Sequence, residues 1–156
     1  MGRRYNIPLP RTVVSASVDL AELATSTFHV CVIHEIHLSQ ITKVSDAGEE
    51  QIQLAWKTGQ TTAGSGGTIN INELAILPTD PDTAMVSSVF NTTKASGGTI
   101  VTHKVWDWNL RLPFRYICTQ ETRLIIPPST RATLELVTAP AAATSFAGRI
   151  FCEILG

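Results

Sequence analysis

The stretch FHVCVIHEIHL, residues 28–38, decides the fold class. Phe28, Val30, Val32, His34, Ile36 and Leu38 stand at every second position, with His29, Cys31, Ile33, Glu35 and His37 between them. A β-strand turns successive side chains to opposite faces, so this alternation sets one group against a core and the other away from it. Working outward, Ile52, Leu54 and Trp56 alternate in the same way with Gln51, Gln53, Ala55 and Lys57. Further strand candidates are Thr68 to Ile76, Met85 to Asn91, Thr99 to Asp107, Leu110 to Cys118, Arg123 to Ile126, Arg131 to Val137 and Ala147 to Leu155. Short strands separated by Gly, Pro, Asp and Asn predict an all-β, single-domain antiparallel β-sandwich, jelly-roll-like.

One short segment runs against the strand pattern. VDLAELA, Val18 to Ala24, reads as a single helix with Asp19 as its cap. LPTDPDT, Leu77 to Thr83, reads as irregular, because each proline removes a ladder donor. At the start, MGRRYNIPLPR combines Pro8 and Pro10 with Arg3, Arg4, Tyr5, Ile7, Leu9 and Arg11. That composition predicts an extended N-terminal arm over 1–11, outside a β-sandwich domain over 12–156. Deleting the first ten residues is expected to leave the domain folded and to weaken assembly.

The nine residues TTAGSGGTI, 61–69, return as TTKASGGTI, 92–100, with seven positions identical. A phosphate-cradling loop needs a Lys after its glycines, and both copies have Thr-Ile there. A dinucleotide-binding turn needs a following helix, and both copies lead into strand patterns. The repeat therefore reads as two copies of one way of turning the chain at similar corners, with glycine supplying positive φ.

Bulk properties narrow the function. Twelve basic and thirteen acidic residues give a net charge of −1, which provides no field to gather nucleic acid or an anionic membrane. No secretory signal or bilayer-length apolar run is present in the sequence, so synthesis in a cytoplasm is expected. Cys31, Cys118 and Cys152 are widely spaced, without a CxxC, and read as small buried hydrophobes.

Candidate chemistry is sparse. His29, Cys31 and His37 share a predicted strand face with Glu35 between them, and would need a further ligand such as His103 to hold zinc. Asp80 and Asp82 offer oxygens to calcium but sit in an ordinary turn string. No local nucleophile signature is found, so the expectation is no enzyme, no cofactor and no metal. VWDWNLRLPFRY, 105–116, concentrates Trp106, Trp108, Arg111, Phe114, Arg115 and Tyr116, residue types that dominate interface hot spots and also suit sugar stacking. Trp106 and Trp108 share a strand face, so a core position is the competing reading. The partner-binding candidates are Arg3, Arg4, Tyr5, Ile7, Leu9 and Arg11 in the arm, with Trp108 and Arg111.

SDAGEEQIQLAWKTGQTTAGSGGT (45–68), NTTKASGGT (91–99) and AGRIFCEIL (147–155) together resemble small β-rich structural proteins of tailed bacteriophages, over most of the chain from about Phe28 onward. The resemblance implies a non-enzymatic virion component similar to capsid decoration or cement proteins, located on the outer capsid surface. Its implied partners are the major capsid protein and copies of itself, as a trimer, without nucleic acid or membrane. A tail, neck or fibre-adaptor protein and a carbohydrate-binding module are the alternatives.

Overall fold

A computed structural model describes residues 3–41, 50–69, 72–73 and 85–156. The described residues form twelve strands and no helix: β1 (Arg3–Val14), β2 (Asp19–Thr25), β3 (Val30–Gln40), β4 (Gln51–Thr58), β5 (Thr68–Ile69), β6 (Asn72–Glu73), β7 (Met85–Asn91), β8 (Val101–Asn109), β9 (Phe114–Ile117), β10 (Leu124–Ile126), β11 (Arg131–Leu136) and β12 (Thr144–Leu155). They make two antiparallel six-stranded sheets. The first runs β10-β3-β12-β1-β6, with β9 pairing the other end of the β3 edge that β10 occupies, and the second runs β5-β7-β2-β11-β4-β8. LPTDPDT, Asp80, Asp82 and most of the candidate strand after Ile69 lie outside the described residues.

A single hydrophobic cluster draws on both sheets. Ile7, Ile33, Ile36, Leu38, Phe146 and Ile150 come from the first, and Leu20, Leu23, Leu54, Trp56, Trp108 and Leu134 from the second. The Trp108 ring meets Phe146 of β12 at 5.6 Å and Phe114 of β9 at 6.1 Å, tying the two sheets together through aromatic contacts.

The helix expected over Val18 to Ala24 is strand β2, between β7 and β11. Its register against β11 slips between Ala21↔Leu134 and Asp19↔Glu135, which leaves Leu20 as an extra residue. A bulge of this kind sets Asp19 and Glu22, three apart, against the polar cover described below, while Leu20 and Leu23, also three apart, enter the core. The three-residue spacing that resembles a helix is the spacing a bulged strand produces.

The arm expected over 1–11 is also a strand. From Arg3 to Val14 the chain lies between β12 and β6, in register with β12 from Arg3↔Ile154 to Val14↔Thr144. Tyr5, Ile7 and Leu9 are buried in the core, so the boundary at residue 11 falls inside a strand. The described residues of β6 pair with Tyr5 and Asn6, and the ladder to β12 skips a residue between Leu9 and Thr12, the interval that holds Pro10, where no ladder donor is required.

β3 keeps its predicted alternation only in part. The pairing with β12 passes from Phe151↔Glu35 to Cys152↔Ile33, so His34 is an added residue. Cys31 and Ile33 point inward before it and Ile36 and Leu38 after it, which switches the buried set from odd to even positions.

Candidate functional site

The two copies of the repeat pair with each other. Thr62 N donates to Ser96 O at 2.8 Å and Ser96 N to Thr62 O at 3.0 Å; Ser65 N donates to Thr93 O at 3.0 Å and Thr93 N to Ser65 O at 3.1 Å. The second position of each copy thus faces the fifth position of the other, the relation a local twofold axis generates. The flanking strands obey it too: β4 enters the first copy and pairs with β8, which leaves the second, while β7 enters the second and pairs with β5, which leaves the first. Gly66 and Gly97, the sixth positions, have φ of 80° and 71°. A Cβ on Gly66 would collide with Thr92 Oγ1, and one on Gly97 would press on Thr61 Oγ1, each threonine opening the opposite copy.

This double strap crosses the outer face of the second sheet and closes over a cluster of charges. Gln60 Nε2 donates to Thr133 Oγ1 on β11 at 2.9 Å, and Gly64 N donates to Glu22 Oε2 on β2 at 2.9 Å. Ala95 N donates to Asp19 Oδ2 at 2.7 Å, and Lys94 reaches back to Ser17 Oγ and Glu135 Oε1 at 2.5 and 2.6 Å. Lys57 pairs with the other Glu135 oxygen, Arg131 Nε lies 2.5 Å from Glu22 Oε1, and Asn91 Nδ2 donates to Glu22 Oε2 at 2.5 Å. Three carboxylates and three cations therefore balance in a largely buried layer.

The three acids are not equivalent. Burial pushes Glu135 up, but its hydrogen bonds to Lys57 and Lys94 more than reverse this and hold it below the usual range. Asp19, 1% exposed, has no cation in hydrogen-bond contact among the described residues. Burial raises it to about 6, with Glu135 and Glu22 adding to the rise and the Ala95 N–H and Lys94 opposing it.

The outer face of the first sheet has no such cover among the described residues. Asn6, Glu35, Arg149 and Phe151 line a shallow depression there. Arg115 Nε holds Glu35 Oε1 at 3.0 Å, with Arg149 Nη2 at 3.7 Å, and His34 Nε2 lies 3.1 Å from Glu153 Oε2 beside the Phe151 ring. Arg4 is opposite Glu153 in the β1–β12 register, and Ile117 and Ile125 are exposed on neighbouring strands. Arginine and aromatic side chains around a few exposed aliphatics are the composition of contact surfaces.

The sequence candidates are dispersed. Tyr5, Ile7 and Leu9 are core residues and present no side chain to a partner. Trp108 is buried, with Nε1 donating to Leu112 O at 2.6 Å, so it offers neither a docking anchor nor a sugar platform. Trp106 is half-buried against Phe114 and Tyr116. Arg3, Arg4, Arg11 and Arg111 are exposed, Arg111 in the turn after β8. The zinc candidates are not brought together: Cys31 points into the core, His37 lies beyond the bulge and partly exposed, and His29 Nδ1 is 2.6 Å from Ser26 Oγ. No family model matches the chain, and no curated protein matches it in sequence.

Proposed function

We propose that this chain is a non-enzymatic virion structural protein, a jelly-roll sandwich that decorates or cements the outer surface of a capsid. The observation that carries the reading is the strand order. Leaving aside the β5–β7 excursion, the first sheet has the neighbours β1, β12, β3 and β9/β10, and the second has β2, β11, β4 and β8. Apart from β4 and β8, which are neighbours in the second sheet, successive strands swap sheets, and this order supports a reading as two interlocked Greek keys, the jelly roll used by viral capsid and lectin domains.

The surfaces support a docking role and suggest its polarity. The strap occupies the outer face of the second sheet, whereas Arg4, Arg115, Arg149, Phe151 and Ile117 mark the outer face of the first. In this reading that face meets the major capsid protein, copies of the chain associate as a closed homo-oligomer, and many weak contacts add through multivalency.

Quantitative mass spectrometry of purified particles of the source virus tests it. The expected result is this chain at the same order of abundance as the major capsid protein. A trace amount would assign it to a tail, neck or fibre instead, and absence from the particle would overturn a virion role.

A further inference from the structure

The strand register sets the outward side chains of the first sheet in rows. On β1, Arg4, Asn6 and Pro8 alternate with the core residues Tyr5, Ile7 and Leu9, and their partners on β12 are Glu153, Phe151 and Arg149. β3 and β9 extend two of these rows, placing His37 between Arg149 and Arg115 and Glu35 between Phe151 and Ile117. The rows hold three arginines, Arg4, Arg115 and Arg149, against two carboxylates, Glu35 and Glu153. This face therefore has a cation in excess, although the chain as a whole has a net charge of −1.

The two carboxylates are already engaged. Glu35 accepts from Arg115 Nε at 3.0 Å, and Glu153 is met by His34 Nε2 at 3.1 Å. Arg149 Nη2 comes no nearer to Glu35 than 3.7 Å, so neither Arg149 nor Arg4 has a hydrogen-bonded carboxylate among the described residues. Each guanidinium presents a planar fork of N–H donors that matches a carboxylate. Arg4 stands level with Glu153 and Arg149 with Pro8, four residues apart along the strands, which is about 13 Å at the rise of a β-strand. Between them lie Asn6 and Phe151, which with Glu35 and Arg149 line a depression of about 340 Å³. An extended chain laid along β1 and β12 has the same rise and turns every second side chain downward. Carboxylates at its positions i and i+4 then reach the two arginines, while the side chain at i+2 falls on Phe151. A phosphodiester backbone fits less well, because its unbroken charge would also meet Glu35 and Glu153. We propose that this face recognises an extended acidic segment of its protein partner, two carboxylates four residues apart being held by Arg4 and Arg149 and an apolar side chain between them by Phe151; the inference rests on the docking role proposed above.

Fluorescence anisotropy on the intact protein tests it, with the labelled peptide Ser-Glu-Ser-Leu-Ser-Glu-Ser and its counterpart carrying Gln for both Glu residues. The expected Kd of the Glu peptide is about tenfold below that of the Gln peptide, the product of about threefold from each of two exposed ion pairs. Arg4→Gln and Arg149→Gln should each remove one of those factors, with circular dichroism unchanged because both side chains are exposed. Lys104→Gln, on β8 in the second sheet, should remove neither. Equal affinity for the two peptides, saturable binding of neither, an equal loss in Lys104→Gln, or tighter binding of an oligothymidylate of similar length would each overturn the proposal. Particle abundance separates this result from the virion reading: a chain as abundant as the major capsid protein that ignores the Glu peptide overturns the acidic segment and leaves the virion role standing.

Discussion

Asp19 makes the stability of this protein depend on pH in the direction opposite to that of an ion-paired carboxylate such as Glu135. Its folded value of about 6 lies above the ordinary 3.8, so between those values the folded state holds a proton that the unfolded chain has released. The stability contributed by protonated Asp19 is therefore present at pH 4, is lost as pH rises toward 6, and does not change further above that. Asp19→Asn removes the titration and keeps an acceptor for the Ala95 N–H, which donates to Asp19 Oδ2 at 2.7 Å. At about 1.36 kcal/mol per pKa unit, the wild type should lose about 2 kcal/mol relative to the Asn variant between pH 4 and pH 7. Glu22, Glu135 and Lys94 face Asp19, and the same charged surroundings are present in both proteins, so the difference isolates the carboxyl of Asp19. Urea unfolding of both proteins across that range, followed by tryptophan fluorescence, reads this as a midpoint difference that shifts by roughly 1 M in favour of the variant. A constant difference, or an Asn variant that is relatively weaker at pH 7 than at pH 4, would refute a buried carboxylate held without its own cation.

Three further outcomes follow from the geometry. Gly66→Ala and Gly97→Ala should each lower stability by about 2 kcal/mol or more, because both need positive φ and both abut a threonine of the opposite copy; near-equal losses in thermal melts would support the local twofold, and a loss at only one site would not. Deleting the first ten residues should unfold the domain, since Tyr5, Ile7 and Leu9 together account for about 5–9 kcal/mol of burial against a typical total of about 5–15 kcal/mol; a folded truncation in circular dichroism would restore the arm reading. Cys31 and Cys152 should stay unmodified by a thiol reagent in the native state, because both are buried and a hydrogen bond with Cys152 together with burial raises Cys31 well above 9, while half-buried Cys118 reacts first, as peptide mass mapping would show.

Most of the strand pattern was legible because a pleated strand writes its faces into the sequence with a period of two. Met85 to Asn91 coincides with β7, and other strands shift by a few residues. The failures occur where that period is interrupted. The extra residue at Leu20 gives β2 a helix-like spacing, and the one at His34 carries Cys31 inward while His37 lies beyond the bulge, which dissolves the zinc candidate. Composition misread the N-terminal strand for a different reason: prolines exclude a segment from a ladder only where a partner needs the missing N–H, and Pro10 falls where the register to β12 skips a residue. Trp108 shows the limit of residue type as a guide, since tryptophan suits a hot spot and a core equally, and only the position of Phe146 across the core decides between them. The repeat was readable as turn chemistry. Its mutual pairing was not, because the residues that meet, Thr62 with Ser96 and Ser65 with Thr93, are far apart in sequence and joined by hydrogen bonds of the backbone, which leaves no trace in side-chain pattern.

The strap also bears on which surface can work. The outer face of an antiparallel sheet is ordinarily free to carry polar residues into water or onto a partner. In the second sheet that option is closed: Glu22, Glu135, Lys57, Lys94 and Arg131 spend their charges on one another and on strap atoms, in positions where removing one member would leave another buried without its counterpart. The effect of this layer is to fix the strap over the sheet through Gln60, Gly64, Lys94 and Ala95. The ion pairs of the first sheet differ in that Arg115 and Arg149 are more than half exposed, so regrouping them around an incoming acidic side chain would leave no charge stranded in the interior. Under the proposed docking role, recognition therefore falls to the outer face of the first sheet, with the strap-covered second sheet as its support.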